Sequence, residues 1–154
     1  DLLITSLNHH TRCEGVAQIQ VVWSDSENEP PEEVANHPSG IVVVEKHVVN
    51  SLNERYNVIV PAPTLGILSL DDDLLRPCEA LDSGFFRWTR SPDQILGYDY
   101  RVHEENPDGW KYAGKTPTWD SNSYSMVLFR SAFVHRDYLN LYMNYLPRSI
   151  FDTV

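Results

Sequence analysis

The chain has 154 residues, of which 42% are hydrophobic and 22% charged, the balance of one ordinary globular domain able to bury its own core. Asp and Glu outnumber Lys and Arg 22 to 12, for a formal charge of −10, and with no basic cluster to neutralise a phosphate backbone, nucleic acid is excluded as a partner. No run approaches the roughly 20 apolar residues that cross a bilayer, and no basic-then-apolar leader opens the chain, so membrane association is expected only through segments outside it.

Leu2, Leu3 and Leu7, with Ile4 beside them, recur at helical spacing and predict a helix closing near Cys13, Glu14 and Gly15. The β-branched and aromatic residues of 19–23 then read as a buried strand. Residues 24–40 carry Pro30, Pro31, Pro38 and several carboxylates, a solvated connection with a short helix starting at Pro31. A second strand is expected at 41–44, followed by a polar stretch, 50–57, too ordered in composition to be a linker.

A third strand at 64–70 is broken at once by Asp71, Asp72 and Asp73. After Pro77, the spacing of Leu81, Phe85 and Trp88 predicts a helix ending near Ser91 and Pro92. A fourth strand follows at 95–98. Residues 99–122, rich in Trp, Tyr, Pro and Gly without a single period, read as an irregular functional loop or hairpin. A short strand is expected over 124–129, a helix over 137–145, and the first turn of another from Pro147. Helices alternating with short apolar strands imply one α/β domain, a layer fold with a mostly parallel central sheet. In such a sheet ligands bind beyond the carboxyl ends of the strands, where the three aspartates stand.

Three adjacent carboxylates repel one another unless a cation or ordered donors compensate. Manganese or magnesium would do so, since both prefer hard oxygen ligands and bridge carboxylates to substrate phosphates, as a departing diphosphate requires. Two other readings compete: a solvated turn, or a phosphatase with an Asp-x-Asp nucleophile, which Leu74 and Leu75 at its Thr or Val positions disfavour. Cys13 and Cys78 lack paired zinc-site spacing and read as half-buried thiols, with a single bridge as the alternative. His9, His10, His37, His47, His103 and His135 show no metal-ligand spacing. Hydrolase and kinase motifs such as Gly-x-Ser-x-Gly or a P-loop do not occur.

Val21-Val22-Trp23-Ser24, Asn50-Ser51-Leu52-Asn53-Glu54-Arg55-Tyr56, Leu70-Asp71-Asp72-Asp73, Ser91 to Tyr98 with Arg101 and His103, and Tyr124 to Leu128 occur in one order and spacing. Together they resemble glycosyltransferase family 64, the exostosin-like transferases, nearly end to end. Val21 to Ser24, Pro77-Cys78 and His135 to Leu139 look closer to its plant and microbial branch. The resemblance implies a GT-A type, Rossmann-like fold and a metal-dependent, retaining transfer of sugar from a nucleotide diphosphate, UDP before GDP, to a glycan or glycolipid. It assigns Asp73 to manganese (or magnesium), Asp71 to the ribose, Asp72 to the donor sugar, Asn50 and Arg55 to the nucleotide and donor, and Arg101 to the acceptor. Ser24 stands where the animal enzymes have a base-contacting Asn, which leaves the base open.

Trp110, Tyr112 and Trp119 are candidates for stacking on sugar faces; Asp120 matches no motif. The family's catalytic acidic run lies past a position like Val154, and a donor-contacting Arg precedes one like Asp1, so a fragment is expected and no catalytic residue is named. A Golgi or endoplasmic reticulum location follows from the family alone. A non-catalytic sugar-binding scaffold on the same fold is the alternative function.

Overall fold

The computed structural model describes residues 2–113 and 123–147, without the side chain of Tyr112. Helix α1 (Leu2–His10) presents Leu3, Ile4 and Leu7 to one side, because residues three and four apart share a helix face. Those side chains pack against Val21 of β1 (Ile19–Trp23), Val34 of α2 (Glu32–Ala35), and Val42 and Val44 of β2 (Val42–Lys46). β1 and β2 pair in parallel, from Ile19 opposite Val42 to Trp23 opposite Lys46.

β3 (Gly66–Leu70) belongs to a second sheet, ordered β3-β8-β4, in which β8 (Ser131–His135) runs antiparallel to both β3 and β4 (Leu96–Gly97). Helix α3 (Cys78–Trp88) lies against it, burying Leu81 and Trp88 and placing the Phe85 and Tyr98 rings beside Phe133. Gly84 permits this approach. A Cβ there would stand 2.1 Å from the Tyr98 hydroxyl.

A third sheet is a hairpin, β5 (Tyr100–Asn106) and β6 (Gly109–Ala113), with β7 (Met126–Val127) pairing the start of β5. Gly109 closes the turn at φ +111°, a conformation that residues with a Cβ rarely adopt. Helix α4 (Arg136–Tyr145) follows β8 directly, and its Tyr142 hydroxyl donates to Asn53 Oδ1 at 2.9 Å. Asn53 lies on a short 3₁₀ helix (Leu52–Tyr56) whose start Ser51 caps by accepting from Asn53 N.

The expected mostly parallel sheet is corrected: among the described residues only β1 and β2 pair in parallel, and the other pairings are antiparallel. β3, α3 and β4 do form a strand-helix-strand unit whose strands point the same way, since both oppose β8. The parallel pair is split because β8 is inserted between them. That strand went unpredicted; Ser131 to Val134 are all buried, so it shows no polar alternation. The strand expected over 124–129 pairs only at Met126–Val127. The bridge between Cys13 and Cys78, the lesser alternative in the sequence, is present, with Cα atoms 5.2 Å apart, inside the usual span for a disulfide.

Candidate functional site

The three aspartates follow directly on the apolar residues of β3. Asp71 N donates to the Arg130 carbonyl at 2.9 Å, extending the β3–β8 ladder by one step, and Leu74 N returns to the Asp71 carbonyl at 3.2 Å. The triplet is therefore a tight turn at a strand end. Two guanidinium groups meet it. Arg55 Nη2 donates to Asp71 Oδ1 at 2.7 Å, while Arg130 places Nε 3.6 Å from Asp71 Oδ2 and Nη2 3.6 Å from Asp73 Oδ1.

These contacts differ in kind. The Arg55 pair is a short charge-assisted hydrogen bond, whereas the two Arg130 contacts exceed hydrogen-bond length, and Arg130 Nε is buried with no hydrogen-bond partner. Exposure follows the same gradient: the Asp71 side chain is 27% exposed and that of Asp73 54%. Asp71 is the anchored carboxylate, while Asp72 and Asp73 are both exposed and have lone pairs open to a ligand. Among the described residues the aspartates do not converge as a set of three metal donors. The arrangement fits a hard divalent ion that takes one carboxylate and fills its other positions from phosphate and water.

Arg55 is positioned by its own loop. It sits in the last turn of the 3₁₀ helix, and its Nη1 reaches the Phe129 carbonyl at 3.4 Å. Beneath the loop, buried His47 hydrogen-bonds Glu54 through Nδ1, with Nε2 3.9 Å from Glu45 Oε2. Glu45 in turn accepts from Ile59 N at 3.0 Å and Val60 N at 2.7 Å. Burial pushes the Tyr56 phenol above its ordinary value, so its ring, packed on Phe129 and Tyr142, stays neutral.

The other candidates lie around this centre. Ser24 directly follows β1, half-buried, and precedes Asp25, which with Ser26, Asn28 and His47 helps to line a cavity of about 180 Å³. Asn50 is exposed in the loop after β2, and Asp72 is exposed between its neighbours. Arg101, expected beside the aromatic loop, is buried at the start of β5, and its Nη1 donates to the Tyr100 carbonyl at 2.7 Å. Trp110 projects from β6, 71% exposed; Trp119 and Asp120 lie outside the described residues. Arg130 was missed in the sequence. It is one cation between two turn residues and an unrecognised strand, and only the β3–β8 pairing carries it to the aspartates.

Comparison with known proteins decides the family. The model of the glycosyl transferase family 64 domain matches residues 1–154. The chain belongs to glycosyl transferase family 64. It is 35% identical to glycosylinositol phosphorylceramide mannosyl transferase 1 of Arabidopsis thaliana, covering 97% of this chain and 50% of that protein. It is 32% identical to exostosin-like 2 of Mus musculus, over 92% of this chain and 46% of the relative. Exostosin-1a of Danio rerio is 35% identical over 87% of this chain and 18% of its own length. The family 64 chain thus spans half or less of these relatives.

Proposed function

We propose that this chain is the donor-binding part of a glycosyltransferase that moves a sugar from a nucleotide diphosphate, UDP before GDP, to a glycan or glycolipid with retention of anomeric configuration. The observation that carries this reading is the strand-end turn in which Arg55 fixes Asp71 while Asp73 keeps exposed oxygens. Asp73 would hold manganese or magnesium, and such an ion supplies neutralisation of the leaving diphosphate. Asp71 positions the ribose and Asp72 the donor sugar.

Arg55 and Asn50 border the nucleotide, and Ser24 borders its base at the end of β1. Arg130, free to swing from its long contacts, is a second cation within reach of diphosphate oxygens. Arg101 serves the acceptor side by ordering the start of β5. The family relatives support sugar transfer, and a Golgi or endoplasmic reticulum lumen location is part of the same proposal. Among the described residues no helix is long and apolar enough to cross a membrane.

Calorimetric titration of UDP and GDP, each with and without manganese, tests the reading. Manganese-dependent binding of one nucleotide, abolished by Asp73→Ala, is the expected result. Failure of both nucleotides to bind the folded chain, with or without manganese, would replace the transferase with a non-catalytic sugar-binding scaffold.

A further inference from the structure

The Cys13–Cys78 bridge joins the turn after α1 to the first residue of α3. His9 precedes Cys13 by four residues, and one ring nitrogen of His9 and the two sulfur atoms all lie within 4.8 Å of one another. The surrounding hydrogen bonds set the protons on both neighbouring imidazoles. His9 Nε2 meets the Arg76 carbonyl at 2.7 Å; a carbonyl only accepts, so Nε2 carries a proton and Nδ1 is the ring nitrogen left to serve as a metal ligand. Arg76 N donates to His10 Nε2 at 3.2 Å, and His10 Nδ1 donates to the Ser6 carbonyl at 2.9 Å.

The main chain two residues before Cys78 is therefore gripped from both sides by α1, through bonds that involve no sulfur. Opening the bridge leaves the three donors held together. We propose that His9, Cys13 and Cys78 form a second, soft-metal site: a disulfide when oxidised, and a two-thiolate, one-imidazole site for zinc when reduced. Reduction adds two electrons and two protons to the disulfide, giving two thiols; with a phosphine as reductant, the phosphine is oxidised to its oxide with oxygen from water. Each thiol releases its proton as the metal binds.

Thiolate and imidazole favour zinc or cobalt over manganese and magnesium, so this site and the aspartate turn would not compete for one ion. Tetrahedral zinc with ordinary bond lengths needs donors about 3.5–3.8 Å apart, so the two sulfur atoms, bonded to each other here, would move apart on reduction while any nitrogen–sulfur span near the 4.8 Å limit would close. Water would complete the fourth position. The Arg76 carbonyl, by holding the His9 Nε2 proton, orients the ring as metal-bound imidazoles require. A cation there would keep α1 tied to α3 where no disulfide survives.

Cobalt titration of the phosphine-reduced chain under nitrogen tests this, with absorbance and far-ultraviolet circular dichroism read together. The expected result is one cobalt per chain with a thiolate-to-cobalt charge-transfer band, absent from the oxidised chain and from Cys78→Ser. His9→Phe is expected to weaken cobalt at least about 10-fold. A folded reduced chain without the band overturns the proposal, as does an unchanged affinity in His9→Phe. Should the reduced chain lose its fold, recovery of the helical signal on adding cobalt supports the site, and failure to recover overturns it. No nucleotide enters this experiment, so its outcome is independent of the aspartate turn.

Discussion

Two charged regions flank the β3–β8–β4 sheet, and they are built in opposite ways. Under α1 and α3, Arg76 Nη2 donates to Asp99 Oδ2 at 2.7 Å and its Nε to Ser131 Oγ at 3.0 Å, with the guanidinium over the Tyr98 ring. The Asp99 side chain is 8% exposed, so this is a covered network with short bonds. At the aspartate turn, only the Arg55–Asp71 bond is short and two contacts stand at 3.6 Å. A covered, saturated network holds one arrangement; an open, under-bonded one can exchange its partners for a ligand's. The first region is structural for that reason, and the second is where the proposed nucleotide and metal would enter at low cost.

The largest effect should come from breaking the covered network. Arg76→Met leaves Asp99 buried without its cation and is expected to cost about 3–5 kcal/mol, read as a lower urea midpoint. Pairing it with Asp99→Leu should restore much of the loss, since the uncompensated charge is gone. If the single variant costs no more than an exposed ion pair, the network is not the structural element it is described as.

Next is the bridge that joins Cys13 and Cys78 across a sequence separation of 65. Cys13→Ser in the oxidised chain should cost about 2–4 kcal/mol through a freer unfolded state. Its effect on nucleotide binding at 25 °C should be small while the chain stays folded. A loss of binding larger than the loss of stability would mean that α1, whose Ser6 Oγ donates to the Leu74 carbonyl at 3.3 Å, transmits its displacement to the aspartate turn.

Acid should probe the same covered side. Burial, with the adjacent His9 ring acting in the same direction, holds the His10 imidazole below its ordinary value of 6.5. The folded state then binds fewer protons than the unfolded state, so stability is complete above pH 6.5 and falls as pH drops below it toward the lowered value. Denaturant midpoints from pH 8 to pH 5 should show this slope, and His10→Gln should flatten it. An unchanged slope in the variant would assign the pH dependence to the carboxylates.

How far this division could be read from sequence depends on distance along the chain. The helices and the strands at β1, β2 and β3 were legible because their signals are local: Leu3 to Leu7 at helical spacing, Val21 and Val42 in short β-branched runs. The aspartate turn was legible for the same reason. Its cations were half legible: Arg55 sits in a recognisable polar motif, while Arg130 is brought in only by the β3–β8 pairing across about 60 residues of sequence, between Leu70 and Ser131. The same is true of Arg76, Asp99 and the Cys13–Cys78 bridge. The sheet was misread because a β-α-β pattern specifies the direction of β3 and β4 but is silent on β8 entering between them. Even the cluster around His9 was invisible, since its three donors share no sequence spacing that a metal motif would require.

The smallest expected change in stability belongs to the residue with the largest expected role. Asp73 makes one long contact, to Arg130, and is more than half exposed, so Asp73→Ala should shift stability by no more than about 0.5 kcal/mol. The same change should abolish manganese-dependent nucleotide binding. Arg55→Met marks the intermediate case, costing about 1 kcal/mol because it removes a half-buried pair as well as a phosphate contact. Measured together, the three variants separate holding from exchanging: Arg76 should move stability, Asp73 should move binding, and Arg55 should move both. A destabilisation by Asp73→Ala as large as that of Arg55→Met would place Asp73 in the anchored class. The open carboxylate would then be Asp72, whose exposed side chain is the remaining donor in the turn.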